Sequence, residues 1–231
     1  MKDLSGSDLA KKNAAEKACD LVKDGMIVGL GTGSTVAYAI RLLGRRVRED
    51  GLGILGVPTS YASEALAIDC GITLTDLNTF QELDIAIDGA DQIDASLNAI
   101  KGGGAAHTRE KIVSCSAKQF VIVIDEKKFG RILDRPVPVE VIPYARKLVD
   151  KELTKIGGTC MVRTGTGKDG PVITENGNLV IDCSFGQIME PAGLSRKMSN
   201  IAGLVEHGIF TNVDVVYIGG EEQVRRIERK K

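Results

Sequence analysis

The sequence predicts an α/β fold, a mostly parallel sheet covered by helices and interrupted by a smaller α+β domain. Short apolar runs of strand length, such as Met26-Ile27-Val28-Gly29-Leu30 and Phe120-Val121-Ile122-Val123-Ile124, alternate with stretches of helical spacing. Continuous apolar runs mark strands buried on both faces, and their alternation with helices makes the sheet mostly parallel. The rhythm changes near Pro136 and returns with Val213 to Ile218.

Residues 8–24 carry Leu9, Ala14, Ala18, Leu21 and Val22 at helical spacing, with Gly25 as the stop. The first strand follows, then the small-residue turn Gly31-Thr32-Gly33-Ser34-Thr35 and a helix presenting Val36, Ala37, Ile40 and Leu43 on one side. Ile54 to Val57 reads as a strand, Tyr61 to Ile68 as a helix, and Ile72 to Thr75 and Leu83 to Ile87 as strands. A helix from Ala105 to Ser116 precedes the Phe120 strand. Beyond Pro136 the order is strand 137–142, helix 143–156, strands 160–163 and 178–182, helix 194–201 and a strand within 205–210. That order, β-α-β-β-α-β, is ferredoxin-like. The expected organisation is a Rossmann-like α/β domain, 1–133 with 208–231, and an inserted α+β domain, 134–207. The chain is expected to close with a polar helix, the basic residues Arg225, Arg226, Arg229, Lys230 and Lys231 lying at its end where cations suit the helix dipole.

The 231 residues, 43% of them hydrophobic, suffice for one large or two small cores. A net charge of −1 with well-mixed signs argues against a nucleic-acid footprint. No apolar run approaches the roughly 20 residues of a membrane helix, and the N-terminus has no signal-peptide core, so a cytoplasmic location is expected. Cys19, Cys70, Cys115, Cys160 and Cys183 form no C-x-x-C pair and read as reduced and mostly buried. His107 and His207 stand apart from one another and from any cysteine pair, so no metal site is expected.

In open parallel sheets, ligands bind beyond the C-terminal strand ends. Five segments fall at such places: 31–35, 58–60, 88–91, 101–104 and 125–128. Gly31 to Thr35 offers backbone N–H groups and hydroxyls at a helix start, which suits a phosphate. It is neither a G-K-[ST] loop nor G-x-G-x-x-G, so nucleotide binding is disfavoured. Asp88-Gly89-Ala90-Asp91 places two carboxylates after a buried strand, able to bind sugar hydroxyls or move protons, or simply to cap a turn. Asp94 reads as a solvated loop residue. Lys101-Gly102-Gly103-Gly104 joins a cation to a run that is costly to order, as expected where backbone approaches a ligand oxygen. Glu110 follows in the next helix, where alone it would read as a surface carboxylate beside Arg109 and Lys111. His107 is an acid–base candidate by residue type.

Taken in order, Gly29-Leu30-Gly31-Thr32-Gly33-Ser34-Thr35, Asp88-Gly89-Ala90-Asp91 and Lys101-Gly102-Gly103-Gly104-Ala105 through Arg109-Glu110-Lys111 resemble the signature blocks of A-type ribose-5-phosphate isomerases. Val139-Glu140-Val141-Ile142-Pro143 and Asn176-Gly177-Asn178 resemble further landmarks, so the similarity spans nearly the whole chain. The resemblance implies an aldose–ketose isomerase that interconverts D-ribose 5-phosphate and D-ribulose 5-phosphate through an enediolate, without a cofactor. It implies Glu110 as general base, Asp88 for substrate hydroxyls and proton transfer, and Asp91 and Lys101 for ring opening and orientation. Lys11, Thr32, Gly33, Ser34, Thr35, Gly102, Gly103, Gly104 and Lys128 fall on or beside substrate-binding, largely phosphate-contacting, positions. His107 stands where the family pattern often has an apolar residue, and Tyr61 and Ser63 where small hydroxyl residues are common. A homodimer or homotetramer is implied. The rival readings are a non-catalytic sugar-phosphate sensor and a related sugar-phosphate isomerase or deaminase.

Overall fold

A computed structural model describes residues 5–167 and 169–229. The first half of the chain runs α1 (Gly6–Cys19), β1 (Ile27–Leu30), α2 (Ser34–Glu49), β2 (Leu55–Pro58), α3 (Tyr61–Asp69), β3 (Thr73–Leu74), β4 (Ile85–Asp88), β5 (Gln92–Ile93), β6 (Ala99–Ile100), α4 (His107–Cys115) and β7 (Phe120–Asp125). A 3₁₀ turn, Glu126–Lys128, follows. The second half runs β8 (Val137–Val141), a 3₁₀ turn (Pro143–Ala145), α5 (Arg146–Lys155), β9 (Thr159–Val162), β10 (Leu179–Ser184), α6 (Pro191–Ser199), β11 (Leu204–His207), β12 (Ile209–Phe210), β13 (Val215–Gly219) and β14 (Val224–Glu228). The chain forms two compact units. One comprises the chain up to Ala90, Arg109–Phe129 and the chain from Asn212; the other comprises Asp91–Thr108 and Gly130–Thr211.

The first unit is built on a seven-stranded sheet ordered β14-β13-β7-β4-β1-β2-β3. All its pairings are parallel except β13 with β14. Counted in chain order, its six parallel strands lie 3-2-1-4-5-6, the doubly wound arrangement whose direction reverses between β1 and β4. Val28, Leu30, Ile85, Ile87, Val121 and Val123 are buried in its core. Helix α1 turns Ala14, Ala15 and Ala18 inward, all fully buried. Small residues allow close approach here: a Cβ on Gly219 would stand 1.9 Å from the Ala10 carbonyl oxygen.

The closing helix expected from the polar tail is instead β14, an edge strand antiparallel to β13, with Val215 opposite Glu228. The cause is the turn at Gly219 and Gly220, closed by the Gly220 N–H donating to the Gln223 carbonyl at 2.8 Å. The basic residues there do not complement a helix end. Arg225 lies over the Phe129 ring at 4.6 Å, Arg226 pairs with Glu228 at 2.8 Å, and Arg229 Nε donates to the Val213 carbonyl at 2.8 Å. Lys230 and Lys231 lie outside the described residues.

The second unit contains the expected β-α-β-β-α-β run, β8-α5-β9-β10-α6-β11, with an antiparallel sheet ordered β11-β8-β10-β9. Val137, Val139, Val141, Val149, Leu153 and Ile181 fill its core. The unit is larger than the expected insertion. The strand anticipated within 205–210 is two strands in different sheets: β11 joins β8, while β12 pairs with β6 and β6 with β5. That pairing draws 91–108 into this unit, and two-residue strands have no periodicity to read. Asp94 is buried rather than solvated and organises the β5–β6 turn, accepting the N–H groups of Ser96 (2.9 Å) and Asn98 (2.8 Å). The cysteine expectation is corrected at one pair: Cys160 and Cys183 lie opposite one another in β9 and β10 and form a disulfide. Cys19 and Cys70 are buried free thiols, and Cys115 is an exposed one. No helix of the described residues is long and apolar enough to cross a membrane.

Candidate active site

In the first unit, candidate residues at the ends of β1, β2 and β4 gather where the sheet reverses. Asp88 ends β4 and is 2% exposed, and its Oδ1 accepts the N–H groups of Gly89 (2.7 Å) and Thr32 (3.1 Å). The carboxylate is thereby fixed against the loop leaving the neighbouring strand β1. Gly31 is required for this contact, since a Cβ there would stand 2.2 Å from Asp88 Cγ and Oδ1. The Thr32 hydroxyl lies 2.8 Å from that of Thr59 and 2.6 Å from that of Ser60, so three hydroxyls from the ends of β1 and β2 converge. Ser60 also caps α3 in a reciprocal box with Ser63, which explains the small hydroxyl residue at 63.

The start of α2 is built differently. Gly33 occupies the cap position with φ +116° and supplies no side-chain bond, and the first turn holds no acidic residue. Ser34 is exposed. Thr35 is 3% exposed, and its Oγ1 is buried with no hydrogen-bond partner among the described residues. A 16-residue helix with free first-turn N–H groups and an unsatisfied hydroxyl is suited to an anion. Lys11, in α1, forms an ion pair with Asp8 of the same helix at 3.4 Å. Lys128 ends the 3₁₀ turn whose cap is Asp125, the acceptor of the Lys127 N–H at 3.0 Å.

In the second unit Asp91 and the glycine run form one construction. Asp91 Oδ2 accepts the Gly103 N–H at 2.7 Å, and a Cβ on Gly103 would stand 2.6 Å from Asp91 Oδ1. Gly102 has φ +105°, and a Cβ there would meet His107 Nδ1 at 2.8 Å. The Ala105 N–H closes the turn onto the Gly102 carbonyl at 2.9 Å, with Ala105 itself at φ +61°. A left-handed alanine is a strained residue, retained only where its surroundings demand it. Lys101 is 2% exposed, with its Nζ 5.5 Å from the centroid of the Phe210 ring. His107 is fully buried.

Glu110 lies in the first turn of α4 and is 4% exposed, which excludes the surface-carboxylate reading. Arg109 beside it lies over the Tyr61 ring at 5.1 Å. Two residues before Glu110 in the same helix, Thr108 donates to Glu140 Oε2. Glu140 is fully buried in β8, and its carboxylate also accepts from Thr174 (2.9 Å), Asn176 (3.1 Å) and Asn178 (2.8 Å). The two landmarks recognised in the sequence around Glu140 and Asn176 are therefore the two sides of one hydrogen-bond network. Burial works to raise the Glu140 pKa, but the four side-chain donors outweigh it and hold the group below its ordinary value of 4.5. Thr59, Thr108 and Thr174 were missed as partners; their signal in sequence is only a hydroxyl beside a recognisable block. No group of three or more His, Cys, Asp or Glu side chains among the described residues could hold a metal ion.

Residues 55–223 match the family described as ribose 5-phosphate isomerase A (phosphoriboisomerase A). The chain belongs to this family. The ribose-5-phosphate isomerase A of Methanosarcina acetivorans is 59% identical over 222 residues, 96% of this chain and 95% of that one. That of Natronomonas pharaonis is 51% identical over 97% of this chain and 99% of its own. Among solved structures, ribose 5-phosphate isomerase A of Methanocaldococcus jannaschii superposes with a TM-score of 0.93 at 46% identity, covering 97% of this chain and all of that one. A D-ribose-5-phosphate isomerase in complex with phospho-erythronic acid gives 0.94 at 43% identity, covering 98% and 100%. For a ribose 5-phosphate isomerase A family member, the fold expected from the sequence is the fold found.

Proposed function

We propose that this chain interconverts D-ribose 5-phosphate and D-ribulose 5-phosphate through an enediolate, with Glu110 as the base. The observation that carries the reading is the built anchor at the sheet reversal: a buried carboxylate fixed by two N–H groups, beside a helix start that lacks a cap. It lies in a chain that relatives named for this isomerase match over 96% and 97% of its length.

The chemistry assigns a task to each group. Glu110 removes the C2 proton of the open-chain aldose as the electron pair moves into a C1–C2 double bond and charge develops on O1. Glu110, its proton partly exchanged with solvent, delivers a proton to C1 while the O2 proton passes to O1, leaving the ketose. A positioned base of this kind contributes about 10²–10⁴-fold. Lys101 and the N–H groups of Gly102 and Gly104 offset the enediolate charge, while the Gly103 N–H holds Asp91. Asp88 binds hydroxyls and passes a proton between oxygens, and Asp91 assists ring opening. The phosphate takes the start of α2 at Gly33 to Thr35, with Thr32, Lys11 and Lys128 contributing. The phospho-erythronic acid bound by the relative fits this scheme, since its carboxylate places negative charge where an enediolate would carry it.

The working form is proposed to be a cytoplasmic homodimer or homotetramer. Tyr144, Met161 and Met189 are large apolar side chains left exposed, as a self-contact would require. The test is turnover of ribose 5-phosphate by purified protein in EDTA, with ribulose 5-phosphate read directly. Turnover is expected. Binding of the sugar phosphate without turnover would replace the isomerase with a sensor.

A further inference from the structure

The glycine run 102–104 is held from outside by a residue that no sequence motif singles out. Arg163 follows β9 and is anchored through both its backbone groups: its N–H donates to the Val180 carbonyl and its carbonyl accepts the Val172 N–H, each at 2.8 Å. Its Nε donates to Asp182 Oδ2 at 2.8 Å and its Nη2 to Asp182 Oδ1 at 2.5 Å, a two-pronged ion pair across neighbouring strands. The remaining prong, Nη1, donates to the carbonyl oxygens of Gly102 (2.8 Å) and Gly103 (3.0 Å). Three consecutive glycines have few conformational restraints of their own. One guanidinium thus fixes two successive peptide planes.

In a trans peptide the carbonyl and the following N–H point in opposite directions. Holding the Gly102 carbonyl on Arg163 turns the Gly103 N–H away from it, and that N–H donates to Asp91 at 2.7 Å. Holding the Gly103 carbonyl turns the Gly104 N–H away likewise. A cation at the carbonyl end also polarises each peptide and strengthens its N–H as a donor. We propose that Arg163, aligned by Asp182, is a positioning residue that orients and polarises the Gly103 and Gly104 amides for the reaction. This rests on the isomerase reading above. Arg163 touches no reacting atom in this scheme; it acts through the loop. Lysine cannot replace it, because an ammonium lacks the planar fork needed to serve a carboxylate and two carbonyls together.

The experiment compares wild type, R163K, R163A and D182N in ribose 5-phosphate turnover, with circular dichroism to verify folding and hydrogen exchange of the 102–104 amides. Loss of a single oxyanion donor costs about 10²–10³-fold in kcat, and misalignment of donors that remain should cost less, about 10–100-fold. The expected result is that kcat falls by that factor in R163A and R163K while KM changes less than about threefold. The Gly103 amide exchanges faster in both, D182N shows a smaller effect of the same kind, and methylguanidinium partly restores R163A. Folded R163A or R163K with wild-type kcat overturns the proposal, as does a loss expressed in KM alone. If R163A fails to fold, R163K and D182N decide by the same criteria. An inert wild type instead overturns the isomerase reading, so the two failures are told apart.

Discussion

Replacing Glu140 with glutamine tests the hydrogen-bond network that holds Thr108 and the 174–178 turn in the second unit. The wild-type carboxylate is fully buried and accepts from Thr108, Thr174, Asn176 and Asn178. Three of these donors converge on Oε1, which a glutamine oxygen can replace; the fourth, Thr108, would face an amide NH₂ and must reverse its hydroxyl. Hydrogen bonds to a charged group contribute roughly 1.5–3 kcal/mol against about 1 for neutral ones, and the lower cost of burying a neutral amide offsets part of the difference. The net loss expected for E140Q is about 2 kcal/mol. E140L should lose more, because it strands all four donors. Guanidinium unfolding followed by circular dichroism reads both.

The same group carries a pH signature. Its folded pKa lies below the ordinary 4.5, so its contribution is complete above that value and is lost as pH falls through the folded pKa. Wild type should therefore lose its advantage over E140Q on acidification below about pH 4.5. Equal stability of the two at pH 7, or a gap that widens as pH falls, would refute the reasoning.

Thr35→Val removes a buried hydroxyl that has no partner among the described residues, so the melting temperature should hold or rise slightly while KM for ribose 5-phosphate increases several-fold. Gly31→Ala drives a Cβ into the Asp88 carboxylate and should cost about 1–3 kcal/mol in stability, visible in denaturant midpoints, together with a large loss of kcat. Reducing the Cys160–Cys183 bond, whose cysteines are separated by 23 residues, should cost about 3 kcal/mol, and thiol titration of unfolded, unreduced protein should count three free cysteines.

Much of this architecture is legible because buried parallel strands write themselves as apolar runs, and Phe120–Asp125 and Val215–Gly219 lie within about two residues of expectation. The loops at Gly31 and Asp88 were legible as a small-residue turn and a carboxylate at strand ends, but only the structure shows that Gly31 leaves room for the Asp88 carboxylate. What escaped has no local period. The strands β5, β6 and β12 are two residues each and are defined by partners distant in sequence. Val224 and Ile227 are spaced like a helix face, yet the Gly219–Gly220 turn pairs them with β13. Arg163 and Asp182 fall in the expected strands 160–163 and 178–182, and only the pairing of β9 with β10 brings them together. The disulfide was missed for the same reason: its cysteines match only once the register is known.

The central claim is proton transfer by Glu110, and isotope exchange in D₂O tests it most directly. Ribose 5-phosphate incubated with wild type and with Glu110→Gln would be followed by proton NMR. The account predicts deuterium at C1 of ribulose 5-phosphate with wild type, and a loss of about 10²–10⁴-fold in both turnover and label with E110Q, while binding of the sugar phosphate persists. Repeated turnover with no solvent deuterium in either sugar, or E110Q working at the wild-type rate, would contradict it.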